Sequence, residues 1–113
     1  MEITVDTREG GVAVLRLEGR LDMLSAADVK QRIAQTVEDG HRRLVVDLGG
    51  VLFLDSSGLG ALIGGLKAAR LAGGDLRIAR PSEQARMILE LTTLDRVLRP
   101  HDSVEEAAGG YAS

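Results

Sequence analysis

The stretch from Phe53 to Gly65, FLDSSGLGALIGG, decides how this chain is read. Its first two residues complete a short apolar run that begins at Val51, and a helix-like run starts near Ser56 or Ser57 and continues to about Ala72. A strand that passes straight into a helix is the mark of a layered α/β domain, and helix starts of this kind are where proteins often handle phosphate. Leu59, Leu62, Ile63 and Leu66 fall on one side of the helix, while Gly60, Ala61, Gly64, Gly65 and Ala68 fill most of the rest. Each interior glycine costs about 0.5–1 kcal/mol of helix stability relative to alanine, so close packing against a sheet is the expected compensation.

Working outward, residues 44–48 (LVVDL) read as a strand that a Gly49-Gly50 break separates from residues 51–54. Upstream, residues 2–6 alternate polar and apolar, residues 8–11 read as a turn, and residues 12–17 are again β-branched and aliphatic, so an opening hairpin is predicted. Ser25 and Asp28 resemble a capping box, followed by Ala26, Val29, Ile33 and Val37 at helical spacing up to Gly40. Downstream, Gly73-Gly74 stops the glycine-rich helix and residues 75–79 (DLRIA) form another strand. Pro81 and Ser82 open a third helix whose apolar stripe of Met87, Ile88, Leu91 and Leu94 reads as core. Ser103 and Glu106 form a capping box for a last short helix ending at Gly109-Gly110. The order β, β, α, β, α, β, α, α predicts an α/β fold, a small mixed β-sheet with an opening β-hairpin, covered by about four helices. Residues 1–113 are expected to form a single domain.

The composition narrows the function. Hydrophobic residues at 44% and charged residues at 27% suit a globular domain rather than a disordered chain. A net charge of −3 and only two aromatic residues, Phe53 and Tyr111, leave little for gripping nucleic acid, and none is expected as a partner. No apolar run approaches the roughly 20 residues of a membrane span, and no basic-then-apolar leader opens the chain. With no cysteine there is neither a disulfide framework nor a thiolate metal site, which fits a reducing cytosol.

The segment Asp55-Ser56-Ser57-Gly58-Leu59-Gly60 admits several chemistries. Serine, aspartate and glycine are favoured helix N-caps, so a purely structural reading exists. Gly58, Gly60 and Gly64 with Asp75 downstream approach a dinucleotide fingerprint, but Ile63 stands where the third glycine belongs. That fingerprint also follows the first strand of its fold, whereas here a hairpin, a helix and another strand come first. Leu66 after Gly65 excludes a Walker A lysine, and Leu54 before Ser56 excludes a nucleophile elbow. The two candidate bases, His41 beside Arg42 and Arg43 and His101 in the RPHDS turn, read as loop histidines. No catalytic residue, metal or cofactor is expected.

The runs LEGRLDMLSAADVKQRI and RRLVVDLGGVLFLDSSGLGALIGGLK resemble the STAS domain family, specifically the bacterial anti-sigma factor antagonists. The likeness covers nearly the whole chain, and its two-part signature, G-x-L-D at residues 19–22 and D-S-S-G-L-G at residues 55–60, is more specific than either part alone. The resemblance implies a cytoplasmic binding switch rather than an enzyme. Its partner would be an anti-sigma factor that is also a serine kinase and phosphorylates Ser56, with a PP2C-type phosphatase to reset it. Partner contacts would come from Asp22, Asp55, Ser56, Ser57, Gly58, Leu59 and Gly60, on a monomer or weak homodimer. Asp22 also has a local reading, as the closer of a turn. Arg20 departs from the family, in which an acidic residue often stands there. Two alternatives stay open: a STAS accessory subunit of a transporter or of a sensory, stressosome-like complex, and a small nucleotide-binding protein resting on the glycine pattern.

Overall fold

The computed structural model describes residues 1–111, so the last two residues of the expected domain lie outside the described residues. Strands β1 (Glu2–Thr7) and β2 (Val12–Leu21) form the predicted antiparallel hairpin, joined through a 3-10 turn at Glu9–Gly11 in which Gly10 and Gly11 take φ of +81° and +78°. Strands β3 (Arg43–Leu54), β4 (Asp75–Ala79) and β5 (Pro100–His101) run parallel to β2, giving the sheet order β1-β2-β3-β4-β5. Helices α1 (Ala26–Glu38), α2 (Ser56–Leu71), α3 (Glu83–Leu91) and α4 (Val104–Gly109) complete the mixed α/β fold that the sequence predicts. The two-residue strand β5 has no sequence counterpart, being too short to show a period.

Alternation along the central strands sorts the core onto two faces. Leu15 and Leu17 of β2, Leu44, Val46 and Leu48 of β3 and Leu76 and Ile78 of β4 pack with α1, α2 and α3. The residues between them, Val12, Val14, Val45 and Ala79, pack with Val104 and Ala107 of α4. Strands buried on both faces read as continuous apolar runs, which is why LVVDL was legible. Each fully buried leucine or valine contributes about 1.5–3 kcal/mol relative to exposure.

Helix α2 lies close against its neighbours, as its glycines require. A Cβ on Gly65 would stand 2.7 Å from Ile33 Cδ1 of α1 and 3.3 Å from Leu76 Cδ1 of β4. Gly64 meets only the Lys30 stem, at 3.1 Å, so α1 and the sheet share the close contact.

Four sequence expectations are corrected. Gly49-Gly50 does not break the strand: β3 runs unbroken from Arg43 to Leu54. A side chain at Gly49 would collide with the Arg80 guanidinium, and one at Gly50 would lie 2.8 Å from Glu18 Cγ, so both glycines serve close approach inside the sheet. Strand β2 extends past residue 17 to Leu21, through Gly19 with φ +119°. Ser25 makes no cap hydrogen bond to α1; it is buried and tied into the preceding loop. Finally, Met87 and Leu91 are 61% and 78% exposed. Helix α3 instead buries Ala85 and Leu89, with Ile88 partly packed against the core, and it ends at Leu91, so Leu94 packs there from a following 3-10 turn rather than from the helix.

Candidate functional site

Strands β2 and β3 end together, with Leu21 paired to Leu54; β2 then enters the loop to α1, while β3 passes through Asp55 alone into α2. Asp55 donates its backbone N–H to the Leu21 carbonyl at 3.2 Å, takes an extended conformation, and accepts the Gly58 N–H on Oδ1 at 2.9 Å. Asp55 is therefore the N-cap of α2, and Ser56 and Ser57 are its first two residues. Their backbone N–H groups belong to the first turn, which has no intrahelical partner. Both serines are exposed, and among the described residues neither hydroxyl has a hydrogen-bond partner. The other described serines are all engaged: Ser82 and Ser103 cap α3 and α4, and Ser25 closes a loop.

Gly58 and Leu59 lie beneath this surface. Gly58 is buried so tightly against the end of β2 that a side chain there would collide with the Leu21 carbonyl. Leu59 is 4% exposed and belongs to the core. Gly60 is exposed with open space around it.

Asp22 opens the loop alongside. Its N–H donates to Ser25 Oγ at 3.1 Å, Ser25 Oγ donates to the Arg20 carbonyl at 2.7 Å, and Asp22 Oδ1 accepts the Leu24 N–H at 3.0 Å. The local reading of Asp22 as a turn closer thus has its geometry. Its other oxygen lies 3.5 Å from Arg20 Nε, and the Arg20 guanidinium stacks 4.6 Å from the centre of the Phe53 ring. Met23 and Leu24 project into solvent from the same loop, 75% and 87% exposed.

One contact was invisible in the sequence. The side-chain amide of Gln84, on α3, grips the last residue of β3: Leu54 N–H donates to Gln84 Oε1 at 2.9 Å, and Gln84 Nε2 donates to the Leu54 carbonyl at 2.6 Å. No motif marks such a residue, because the partner is a backbone segment 30 positions away.

Among the described residues neither histidine stands beside Ser56. His41 precedes the first residue of β3 whereas Ser56 follows the last, so the length of the strand separates them. His101, on β5, has its Nδ1 3.7 Å from Glu106. Among the described residues no cluster of three or more His, Cys, Asp or Glu could hold a metal ion. A groove of about 410 Å³ between β1 and α1 is lined by Met1, Ile3, Asp28, Gln31, Arg32 and Gln35, away from Ser56.

The strongest electrostatic cluster sits at mid-strand on the α4 side of the sheet. Asp47 is wholly buried and takes Arg80 in a fork, Nε to Oδ1 at 2.9 Å and Nη2 to Oδ2 at 2.7 Å, with Arg16 Nε at 3.3 Å and the Gly49 N–H at 3.0 Å. Burial pushes its carboxyl pKa up, but the Arg80 hydrogen bonds, the Gly49 N–H, the Arg80 charge and the Arg16 bond together hold it below 3.8.

Residues 3–107 match the family model described as the STAS domain. The chain belongs to the STAS family. This STAS domain is 32% identical over 68 residues to an anti-sigma factor antagonist of Thermotoga maritima, a match spanning 60% of each chain. It thus spans about 60% of that relative's length. It is also 28% identical over 91 residues to the anti-sigma-B factor antagonist of Staphylococcus aureus, covering 80% of this chain and 84% of that one. Among solved structures, an anti-sigma factor antagonist from Mycobacterium paratuberculosis superposes with a TM-score of 0.88 at 27% identity, covering 99% and 94% of the two chains. The Bacillus protein SpoIIAA in its phosphorylated form superposes at 0.75 and 20% identity, over 97% and 99% of the chains, and shows the shared fold. Among the described residues no helix is long and apolar enough to cross a membrane.

Proposed function

We propose that this STAS domain is an anti-sigma factor antagonist whose binding is switched off by phosphorylation of Ser56. In this reading the unmodified protein captures an anti-sigma factor that is also a serine kinase, the kinase modifies Ser56, and a PP2C-type phosphatase restores the binding form. The observation that carries it is the division of labour in the turn. Asp55 does the capping, so Ser56 is an exposed, unpartnered hydroxyl at the start of a 16-residue helix. The names of its relatives, anti-sigma factor antagonists from three bacteria, support the partner class.

The physics of the switch follows from the geometry. A phosphoryl group on Ser56 adds about −1.5 to −2 charge at pH 7. The helix dipole and the free N–H groups of the first turn offset that charge within the domain, so the fold survives modification. A partner docking on the same surface meets the new charge beside Asp55 and Asp22, and must desolvate it. Asp22, Asp55, Ser56, Ser57 and Gly60 form the contact surface, with Gly58 and Leu59 shaping it from below. Arg20 already pairs with Asp22, which softens the acidity of this rim relative to a chain carrying an acid there. The reading assigns no hydrolysis or self-phosphorylation to Ser56, and among the described residues no metal-holding cluster of His, Cys, Asp or Glu is present.

The test is labelling by a soluble extract of the cells that make the protein, supplied with ATP and read by mass spectrometry. Phosphate is expected on Ser56, with Ser56→Ala abolishing it while the variant still captures its partner. The phosphorylated protein should bind that partner about 5- to 150-fold more weakly, the usual span of a coupling between sites. Label confined to Ser57, or equal capture by modified and unmodified protein, refutes the switch.

A further inference from the structure

We infer that Gln84 is a positioning residue for the Ser56 turn, acting through the backbone of Leu54; the inference deepens the proposed function and rests on it. Strand β4 pairs with β3 only as far as Asp47 opposite Ala79, so residues 48–54 of β3 overhang the sheet on that side. Successive residues of a strand aim their N–H and C=O groups at opposite neighbours. Asp55 N–H bonds to Leu21 on β2, so the groups of Leu54 point the other way, where no strand remains. The Leu54 side chain is wholly buried, and unpaired backbone groups at such a place are costly.

Gln84 supplies the missing strand in miniature. A carboxamide carries one acceptor and a donor on one planar group, the same pair that a peptide unit offers, and both are used, at 2.9 and 2.6 Å. Glutamate could accept but not donate, and methionine could do neither with useful strength. The grip falls on the residue immediately before the cap Asp55, so the acceptor turn is held from both sides. Leu21 anchors Asp55 from β2, and Gln84 anchors Leu54 from α3. Ser82, which caps α3 by accepting the Ala85 N–H, fixes the turn of helix from which Gln84 reaches out. With the brace intact, Ser56 presents its hydroxyl in one place. Without it, the strand end can slide and Ser57 competes as acceptor.

The test compares the parent with Gln84→Met, which keeps the side-chain length and packing, and Gln84→Glu, which keeps only the acceptor. Amide hydrogen exchange by NMR should show the Leu54 N–H exchanging about tenfold faster in Gln84→Met than in the parent, in line with the loss of a net hydrogen bond, while Val46 in the central sheet is unchanged. Gln84→Glu should fall between the two. In the ATP-supplied cell extract, the initial rate of Ser56 phosphorylation should drop at least fivefold in Gln84→Met, and the share of label on Ser57 should rise; a loss of stability alone would not redirect the label. Parent-like exchange at Leu54 in Gln84→Met overturns the brace. Faster exchange with an unchanged Ser56 rate and unchanged Ser57 share overturns the positioning role. If the parent itself takes no label on Ser56, the proposed switch falls, and the exchange at Leu54 and at the capped Gly58 N–H alone decides whether Gln84 holds the turn.

Discussion

Two aspartates eight positions apart, Asp47 within β3 and Asp55 just past its end, are used in opposite ways. Asp47 is wholly buried at mid-strand, with two arginines and a backbone N–H on its oxygens. Asp55, half-buried at the strand's end, makes one side-chain hydrogen bond, to the Gly58 N–H, and leaves the two following serines free. One strand thus delivers a closed ionic knot and an open turn. The closed region is expected to carry stability, and the open one to carry binding.

The sharpest way to break this comparison is to remove the knot. Arg80 has φ +55°, a left-handed conformation that costs a non-glycine residue about 1–2 kcal/mol, and its guanidinium lies where a Gly49 side chain would be. The fork onto Asp47 holds its side chain, and its N–H donates to the His101 carbonyl at 2.8 Å. Asp47→Ala should cost about 3 kcal/mol by urea unfolding, the low end for a broken buried pair because Arg16 and Arg80 are half exposed and rehydrate. The pH dependence has a definite sign. The folded-state pKa of Asp47 lies below 3.8, so the unfolded chain binds more protons in that range. The contribution of Asp47 is complete above the unfolded value and disappears as pH falls through the folded one. Asp47→Asn should flatten the stability curve below about pH 3.8, and an equally steep acid limb in that variant would move the acid sensitivity elsewhere.

A smaller effect separates two adjacent glycines on α2. Gly65→Ala presses on Ile33 and Leu76 and should cost about 1–3 kcal/mol through overpacking. Gly64→Ala meets only the flexible Lys30 stem, so it should be neutral, or stabilise by up to about 0.5–1 kcal/mol through helix propensity. Thermal melts of the two variants that coincide would mean that α2 is not seated between α1 and the sheet as described.

Those contrasts also show which features of the molecule could be read in advance. The hairpin, the strand LVVDL, the glycine-rich helix, the helix start at Pro81-Ser82 and the cap at Ser103 were legible because each rests on residues within one or two turns of each other. What failed depended on distant partners. Gly49 looked like a strand break because the Arg80 guanidinium that needs its space is 31 residues on. Ser25 looked like a cap because serine before a helix usually is one, yet its oxygen already accepts the Asp22 N–H while its proton goes to the Arg20 carbonyl at the end of β2. On α3 the periodic stripe favoured Met87 and Leu91 by size, while the face that meets the sheet carries Ala85 and Leu89. At the candidate site the segment itself was legible, but the choice of Asp55 rather than a serine as cap, and the role of Gln84, required the fold.

The smallest expected effect bears most directly on the open turn. Replacing an N-cap that uses its side chain costs about 0.5–2 kcal/mol, so Asp55→Ala should destabilise by about 1 kcal/mol. Ser56→Ala removes a hydroxyl that bonds to nothing described and puts a better helix former at the first position of α2, so its stability should stay within about 0.5 kcal/mol of the parent. Matched urea melts of the two variants compare the claims directly. If Ser56→Ala costs as much as Asp55→Ala, the serine is doing the capping, its hydroxyl is not free for a kinase, and the turn reduces to a helix start. If only Asp55→Ala is costly, Ser56 can be modified with little consequence for the fold, which is the property that a switch at this position needs.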